Sequence, residues 1–519
     1  MPSSLWESLR SGQPIDPSTS VCAAKPDFAH RGLLLDVSRG KVPTLDTLRH
    51  LADRMAELKL NQLQLYIEHA FDFQFDPDIA RGCDPLTADE IRALDAYCRE
   101  RHIELVPCLA VFGHMGRILS LPQYRHLAEI EATKSWEQMN WFERGRGFTL
   151  DARNPESRGL VERMLAEFLP LFSAPYINIC CDETYDLGKG KNAAVAAQIG
   201  VGRLYLEHLH FLHDLCARYG KRIMFWGDIM RKYPELIADI PRDAIVLNWG
   251  YEADFDFDST ALFTSAGLET YVCPSTWSFA RLLSALDVAE GNIRGHAVAG
   301  KRHGAAGLLN THWGDHGHIN TLADAWHAIA LGADAAWHAT PPESSEQFDR
   351  AFSTHFFNDP EARLLRPLRR LARAAGTCAT WRVLYKDFAD ESGPDALPAP
   401  EVAAAIGAAA REALLVLDDY ERAQRGDPQD LAELRLVCRL AALLPQKVGL
   451  SRYAHDWATS TLDQARFANA FASDVEALVP EFVSSWLTRN KTSSSADVVA
   501  VLRKLAGAAR DLPLRDDRR

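Results

Sequence analysis

From Arg31 onward, short runs of almost uninterrupted apolar residues alternate with longer stretches whose apolar residues return every three or four positions. The short runs are RGLLLDV from Arg31, NQLQLYI from Asn61, IELVPCLAV from Ile103 and YINICCDE from Tyr176. They continue as RIMFWGD from Arg222, AIVLNWG from Ala244, TYVCPS from Thr270 and GLLNTHW from Gly307. A strand covered on both faces has no polar side, so runs of this kind predict buried parallel strands. The longer stretches, among them 45–58, 88–101, 157–171 and 204–219, carry the period of amphipathic helices. About eight such strand–helix units predict an α/β fold, a (β/α)8 TIM barrel over residues 31–341. An open doubly wound sheet is the alternative, but no G-x-G-x-x-G follows the first run.

After Trp337 the pattern changes. Alanine, leucine and arginine dominate 361–375, 400–425 and 430–444 at helical spacing, without strand-like runs. Pro394, Pro398 and Pro400 mark a linker inside this region. The expected division is therefore an N-terminal extension over 1–30, the barrel over 31–341 and an α-helical C-terminal domain over 342–519. That last domain ends in a polar tail, LPLRDDRR, expected to fray.

Composition narrows the partners. With 47% hydrophobic and 24% charged side chains in 519 residues, the chain reads as globular. Its 57 basic and 70 acidic residues leave a net charge of -13, which repels phosphate backbones and anionic lipid. Nucleic acid and membrane surfaces are thus excluded as expected partners, and a neutral small molecule such as a sugar fits better. The opening MPSSLWESLRSGQPIDPSTS lacks the basic and apolar segments of a secretory signal. The ten cysteines show no C-x-x-C spacing and read as buried thiols, so a cytoplasmic location is expected.

Barrel active sites form at the C-terminal ends of the strands. That rule selects Asp36 with Arg39, Glu68 with His69, and His114. It also selects Asp182-Glu183, Trp226 with Asp228, Trp249, and Trp313 with Asp315. Indole faces stack on the C–H face of a pyranose while carboxylates accept its hydroxyls, so the set suits a sugar. Each member also has a plainer reading: a tryptophan packs the core, a lone aspartate caps a helix, a lone histidine is structural. Asp182-Glu183 resists that reading, because two adjacent carboxylates behind an apolar run repel one another and lose solvation. His312, Asp315, His316 and His318 are metal-ligand types at close spacing. Neither a His-x-His at the end of the first run nor an H-E-x-x-H accompanies them, so a metal-dependent barrel hydrolase is the lesser alternative. A sugar-binding barrel that no longer catalyses is another.

Together, RGLLLDVSR, LVPCLAVFGHM, NICCDETYDLGKG, MFWGDIM, LNWGY and NTHWGDHGH resemble family 20 glycoside hydrolases, the β-N-acetylhexosaminidases. The resemblance is to the hexosaminidase D-like branch with its small cytoplasmic bacterial enzymes, and extends to WLTRNK at Trp486. It implies an exo-acting enzyme that releases terminal GlcNAc or GalNAc from an oligosaccharide or glycoconjugate. Glu183 would be the general acid and base, and Asp182 would orient the substrate's 2-acetamido group. That group is the nucleophile, giving an oxazolinium intermediate and net retention. By the same resemblance Arg31 would hold sugar hydroxyls and His114 would sit near the catalytic acid, while Glu68, selected by its strand-end position, is expected to bind substrate beside them. Trp226, Trp249 and Trp313 would wall the acetamide and sugar face, and Asp315 would bind a distal hydroxyl. No metal or organic cofactor is expected.

Four further expectations follow. To stay protonated, Glu183 needs an affinity raised by burial and by Asp182. Neighbouring residues on a regular strand face opposite ways, so the pair converges only where the strand ends and the chain turns. The apolar faces of the C-terminal helices offer a homodimer interface, with Trp486 or Arg489 near the mouth of a site. The family also commonly supplies a tyrosine after the seventh strand; TYVCPSTW offers Tyr271 or Trp277 there.

Overall fold

The computed structural model describes residues 25–146, 148–340, 344–390, 393, 396–455 and 464–512. The opening segment read for a secretory signal, residues 1–24, and the tail after Leu512 lie outside the described residues. Eight parallel strands close into a barrel in sequence order, β8 pairing back onto β1. They are β1 (His30–Asp36), β2 (Gln62–Ile67), β3 (Glu104–Leu109), β4 (Tyr176–Asn178), β5 (Arg222–Trp226), β6 (Ile245–Trp249), β7 (Glu269–Cys273) and β8 (Gly307–His312). Each falls on one of the eight apolar runs. The shortest is β4, three residues long where the run spans eight.

Local signals set the helix starts. Thr87 and Glu90 exchange hydrogen bonds in a capping box at the head of Ala88–Arg99, and Asn154 caps Pro155–Phe168, whose first residue is proline. Inside the barrel, Tyr66, Cys108, Cys180, Met224, Trp226, Leu247 and Trp313 belong to one aromatic-rich cluster. Two glutamines of β2, Gln62 and Gln64, are also fully buried. Gln64 donates to Gln62 (3.2 Å) and accepts from Asn178 (2.9 Å), so these polar side chains form a hydrogen-bonded chain in the interior.

Beyond Leu322–Trp337, the described residues form helices, including Leu365–Ala375, Pro400–Arg422, Pro428–Ala442, Gln464–Arg489 and Ser495–Arg510, and one antiparallel bridge of Asn490 to Pro43. None of the described helices is long and apolar enough to cross a membrane. This region grips the barrel next to β1. Thr44 N–H and Thr47 Oγ1 both donate to Arg489 O, Lys491 N–H to Val42 O, and Ser494 N–H to Gly40 O. Behind these contacts the buried Arg489 guanidinium lies 2.5 Å from Asp430 and 3.0 Å from Glu433. Trp486 and Arg489 are thus buried anchors, and it is Ser493, Ser494 and Asp497 that reach the cavity described next.

Candidate active site

The decisive turn follows β4. Cys180, Cys181 and Glu183 all take left-handed backbone conformations, φ 60°, 67° and 49°. Each costs a non-glycine residue on the order of 1 kcal/mol. Surrounding contacts hold them there: Cys180 N–H donates to Asn178 Oδ1, Tyr205 Oη to Cys181 O, and Glu183 N–H to Asp228 Oδ2. The strand ends early and the turn swings two successive carboxylates onto one partner. His114 Nε2 is 3.4 Å from Asp182 Oδ2 and 3.2 Å from Glu183 Oε2. Gly113 makes the approach feasible, since a Cβ there would lie 2.2 Å from Asp182 O.

Beside this pair a second cluster gathers on Arg39. Its guanidinium lies 3.2 Å from Asp36, 3.1 Å from Glu68 and 3.6 Å from Asp315, above the rings of Tyr66 and Trp313. Glu68 also accepts from Tyr66 Oη (3.0 Å) and lies 3.8 Å from His114 Nδ1, linking the two clusters. Asp36 further accepts from Gly314 N–H (3.1 Å), tying the end of β1 to the β8 loop. A cavity of about 410 Å³ opens over both clusters, lined by Arg39, Glu68, His69, His114, Glu183 and Asp315.

Burial and charge oppose one another here. Burial alone disfavours a charged imidazole, yet the carboxylates of Asp182 and Glu183 raise His114 to about 10, so it carries a proton. Burial lifts Glu183, but the His114 charge and hydrogen bond, with a 2.6 Å bond from Tyr185 Oη, bring it below the ordinary range. The expected elevation of Glu183 is therefore not found: the neighbouring imidazolium outweighs burial, and in the free protein the proton rests on His114. Burial and then the Asp182 charge push Asp228 up to about 7. Burial also raises Glu68 and Asp315 despite Arg39.

Arg31 lies elsewhere. It sits at the opening of β1, where its guanidinium donates to Phe28 O, Ala29 O and Lys59 O and stacks on Trp337. That is the N-terminal end of the barrel, a strand's length (about 20 Å at 3.3 Å per residue) from the carboxylates. Arg39 occupies the place expected of it. Trp226 and Trp313 belong to the interior cluster with centroids 6.2 Å apart, and Trp249 packs against that cluster with Tyr251. The open cavity is instead walled by Trp136, Trp141 and Phe142, in the excursion between β3 and β4. The aromatic density of SWEQMNWF, outside any periodic element, was the signal for them.

Tyr271 stacks on His30, the first residue of β1, while Trp277 Nε1 donates to Tyr251 O. The tyrosine among the site tryptophans is Tyr251, whose hydroxyl accepts from Trp313 Nε1 at 2.8 Å. Asp182 Oδ1, Trp226 Nε1 and Trp249 Nε1 are buried with no hydrogen-bond partner among the described residues.

The histidines of the β8 loop diverge. His312 Nδ1 meets Thr276 and Ser278, and His316 Nδ1 meets Tyr385. Among the described residues no three of His, Cys, Asp and Glu converge on a metal position.

The comparisons agree with this geometry. Residues 28–286 match the profile of glycosyl hydrolase family 20, catalytic domain. Human hexosaminidase D is 24% identical over 317 residues, covering 57% of this chain and 62% of its own, less than two thirds of its length. Bovine hexosaminidase D is 23% identical over 306 residues, covering 55% of this chain and 85% of its own. Among solved structures, the Flavobacterium johnsoniae chitobiase superposes with a TM-score of 0.52 at 17% identity, covering 93% of this chain and 78% of that one. The β-N-acetylhexosaminidase of Bacteroides fragilis gives 0.52 at 16% identity, over 64% and 71%. At such identities the structures share the fold. With its barrel, its paired carboxylates and its matching profile, the chain belongs to glycosyl hydrolase family 20.

Proposed function

We propose that this protein is an exo-acting β-N-acetylhexosaminidase that works by substrate-assisted hydrolysis with retention. The observation that carries the reading is the pair Asp182-Glu183, turned side by side onto a protonated His114 at the cavity that Arg39, Glu68 and Asp315 line. Asp182 Oδ1, buried and unpaired among the described residues, is suited to accept the N–H of a 2-acetamido group. That bond turns the amide carbonyl oxygen toward the anomeric carbon. The oxygen attacks C1 as the glycosidic C1–O bond breaks, and the departing oxygen takes its electron pair and a proton from Glu183. No enzyme nucleophile is needed, because the internal amide has a large effective concentration at C1. Water, deprotonated by Glu183, then opens the oxazolinium at C1.

The proton that Glu183 delivers is available 3.2 Å away on His114. A sugar entering the cavity strips water from the pair and favours moving that proton onto the carboxylate. Arg39, Glu68 and Asp315 supply the charged hydrogen-bonding edge for ring hydroxyls, and Trp226, Trp249 and Trp313 the apolar surroundings. The reading is tested with aryl β-glycosides of GlcNAc and GalNAc beside their 2-hydroxyl counterparts. Turnover confined to the acetamido sugars is expected. Equal turnover of the 2-hydroxyl sugars would require an enzyme nucleophile and overturn the roles of Asp182 and Glu183, and tight sugar binding without turnover would make the barrel a binding protein.

A further inference from the structure

A second cavity, about 560 Å³ in volume, opens in the C-terminal helical region and takes no part in the chemistry above. Its size falls in the range that holds small organic ligands, about 300–1,000 Å³. Val383, Phe388, Leu397 and Val402 line it with apolar surface. Into this setting the helix Leu444–His455 brings Lys447, which is fully buried. Its ammonium nitrogen donates to Ser451 Oγ at 3.0 Å and lies 4.1 Å from the centroid of the Phe388 ring.

Charge around this lysine is unbalanced. Two carboxylates line the same cavity, but each has another cation: Asp387 lies 2.9 Å from Lys504, and Asp390 lies 2.7 Å from Lys386. Among the described residues, no carboxylate lies within 4.0 Å of Lys447 Nζ or of the Arg382 guanidinium, which lines the cavity too. The other polar lining groups, the Cys378 thiol and His455, add no negative charge. Burial draws Lys447 down to about 7, and Asp387 and Asp390 offset only part of that. A cation desolvated among apolar side chains is stabilised by an anion brought against it.

The short helix Thr380–Tyr385 stands between this cavity and the active site. Trp381 Nε1 donates to His316 O at 2.8 Å, and Tyr385 meets His316 Nδ1 at 2.5 Å and the Trp141 ring edge-on at 5.0 Å. His316 and Trp141 both line the active-site cavity. From the same helix Arg382 and Val383 line the second cavity, and the Arg382 guanidinium lies 5.3 Å from the ring of Phe142, a wall of the first.

We propose that the second cavity is an effector site for a small organic carboxylate, whose apolar body fills the cavity and whose charge offsets those of Lys447 and Arg382. A ligand that draws on Arg382 also acts on the guanidinium that covers Phe142, so filling this site changes substrate binding in the other. The coupling rests on the hydrolase reading above; the binding does not.

The full-length protein is titrated calorimetrically with benzoate, hexanoate, inorganic phosphate and neutral benzamide. Benzoate or hexanoate is expected to bind saturably, about tenfold or more tightly than benzamide and phosphate. Lys447→Met, and independently Arg382→Gln, are expected to weaken that binding about tenfold. A single cooperative urea transition reports that each variant is folded. With saturating carboxylate, KM for an aryl β-GlcNAc glycoside is expected to shift about fivefold in the unaltered protein and to stay constant in Lys447→Met. The site is overturned by an absence of saturable carboxylate binding below about 10 mM, by benzamide or phosphate binding as tightly, or by binding unchanged in both variants. A KM unmoved by bound carboxylate overturns the effector role. Carboxylate binding without turnover of any glycoside overturns the hydrolase reading, and the coupling with it, and leaves the binding site standing.

Discussion

Replacing Asp228 by asparagine is expected to stabilise the protein at pH 8 far more than at pH 5. Asp228 is 5% exposed, and the hydrogen bond it accepts from Glu183 N–H at 3.3 Å leaves Oδ1 without a partner among the described residues. Burial and the Asp182 charge hold its affinity at about 7, against 3.8 for an aspartate in the unfolded chain. Because the folded value is the higher one, stability is full below about pH 4 and is lost as the pH rises through 7. Three units at about 1.4 kcal/mol each put the loss near roughly 4 kcal/mol at pH 8, and roughly 2 kcal/mol at pH 5. Asparagine keeps the acceptor and the shape but does not titrate. Its buried amide adds a penalty of about 1–3 kcal/mol that does not vary with pH. The informative quantity is thus the swing, about 2–3 kcal/mol in the difference between the two proteins from pH 5 to pH 8. Urea unfolding of both proteins at four pH values measures it. Parallel curves would refute the assignment of a high affinity to Asp228, and Asp182→Asn is expected to shrink the swing by removing the second cause.

Four other outcomes test the site. Glu183→Gln is expected to lower kcat/KM about 10²–10⁴-fold on saccharide leaving groups and much less on glycosyl fluorides, whereas Asp182→Asn lowers both; steady-state kinetics on the two classes separate a proton donor from a group acting on the internal nucleophile. His114→Gln removes the charge and hydrogen bond that depress Glu183, so the pH–rate profile is expected to show the Glu183 limb moving upward, and an unmoved limb would place the controlling charge elsewhere. Arg39→Ala leaves Asp36, Glu68 and Asp315 without their shared cation and is expected to cost about 3–5 kcal/mol of stability along with most of the activity. Arg31→Ala, at the far end of β1, is expected to leave KM unchanged, and a large rise in KM would return that residue to the site.

Periodicity in the sequence was enough to place eight strands, the amphipathic helices around them and the change to helices after Trp337, because each depends on residues close along the chain. The adjacent carboxylates were legible for a similar reason, since Asp182 and Glu183 behind the apolar run YINICC have no comfortable structural role. What local pattern does not carry is depth and direction. Arg31 opens the first apolar run and Arg39 lies two residues past its end, and only the closing of the barrel around β1 gathers Glu68 and Asp315 with Asp36 around the second. The left-handed turn at Cys180, Cys181 and Glu183 likewise runs against the preferences of those residues and survives through the adjacent Asn178 and the more distant Tyr205 and Asp228. The proton's resting place on His114 required two elements, β3 and β4, to end at the same point. Trp141 and Asp497, more than 350 residues apart, became walls of one cavity only when the C-terminal helices packed against the β1 loop. Secondary structure answers to neighbours in sequence, while charge balance and cavity shape answer to neighbours in space, which the chain acquires only on folding.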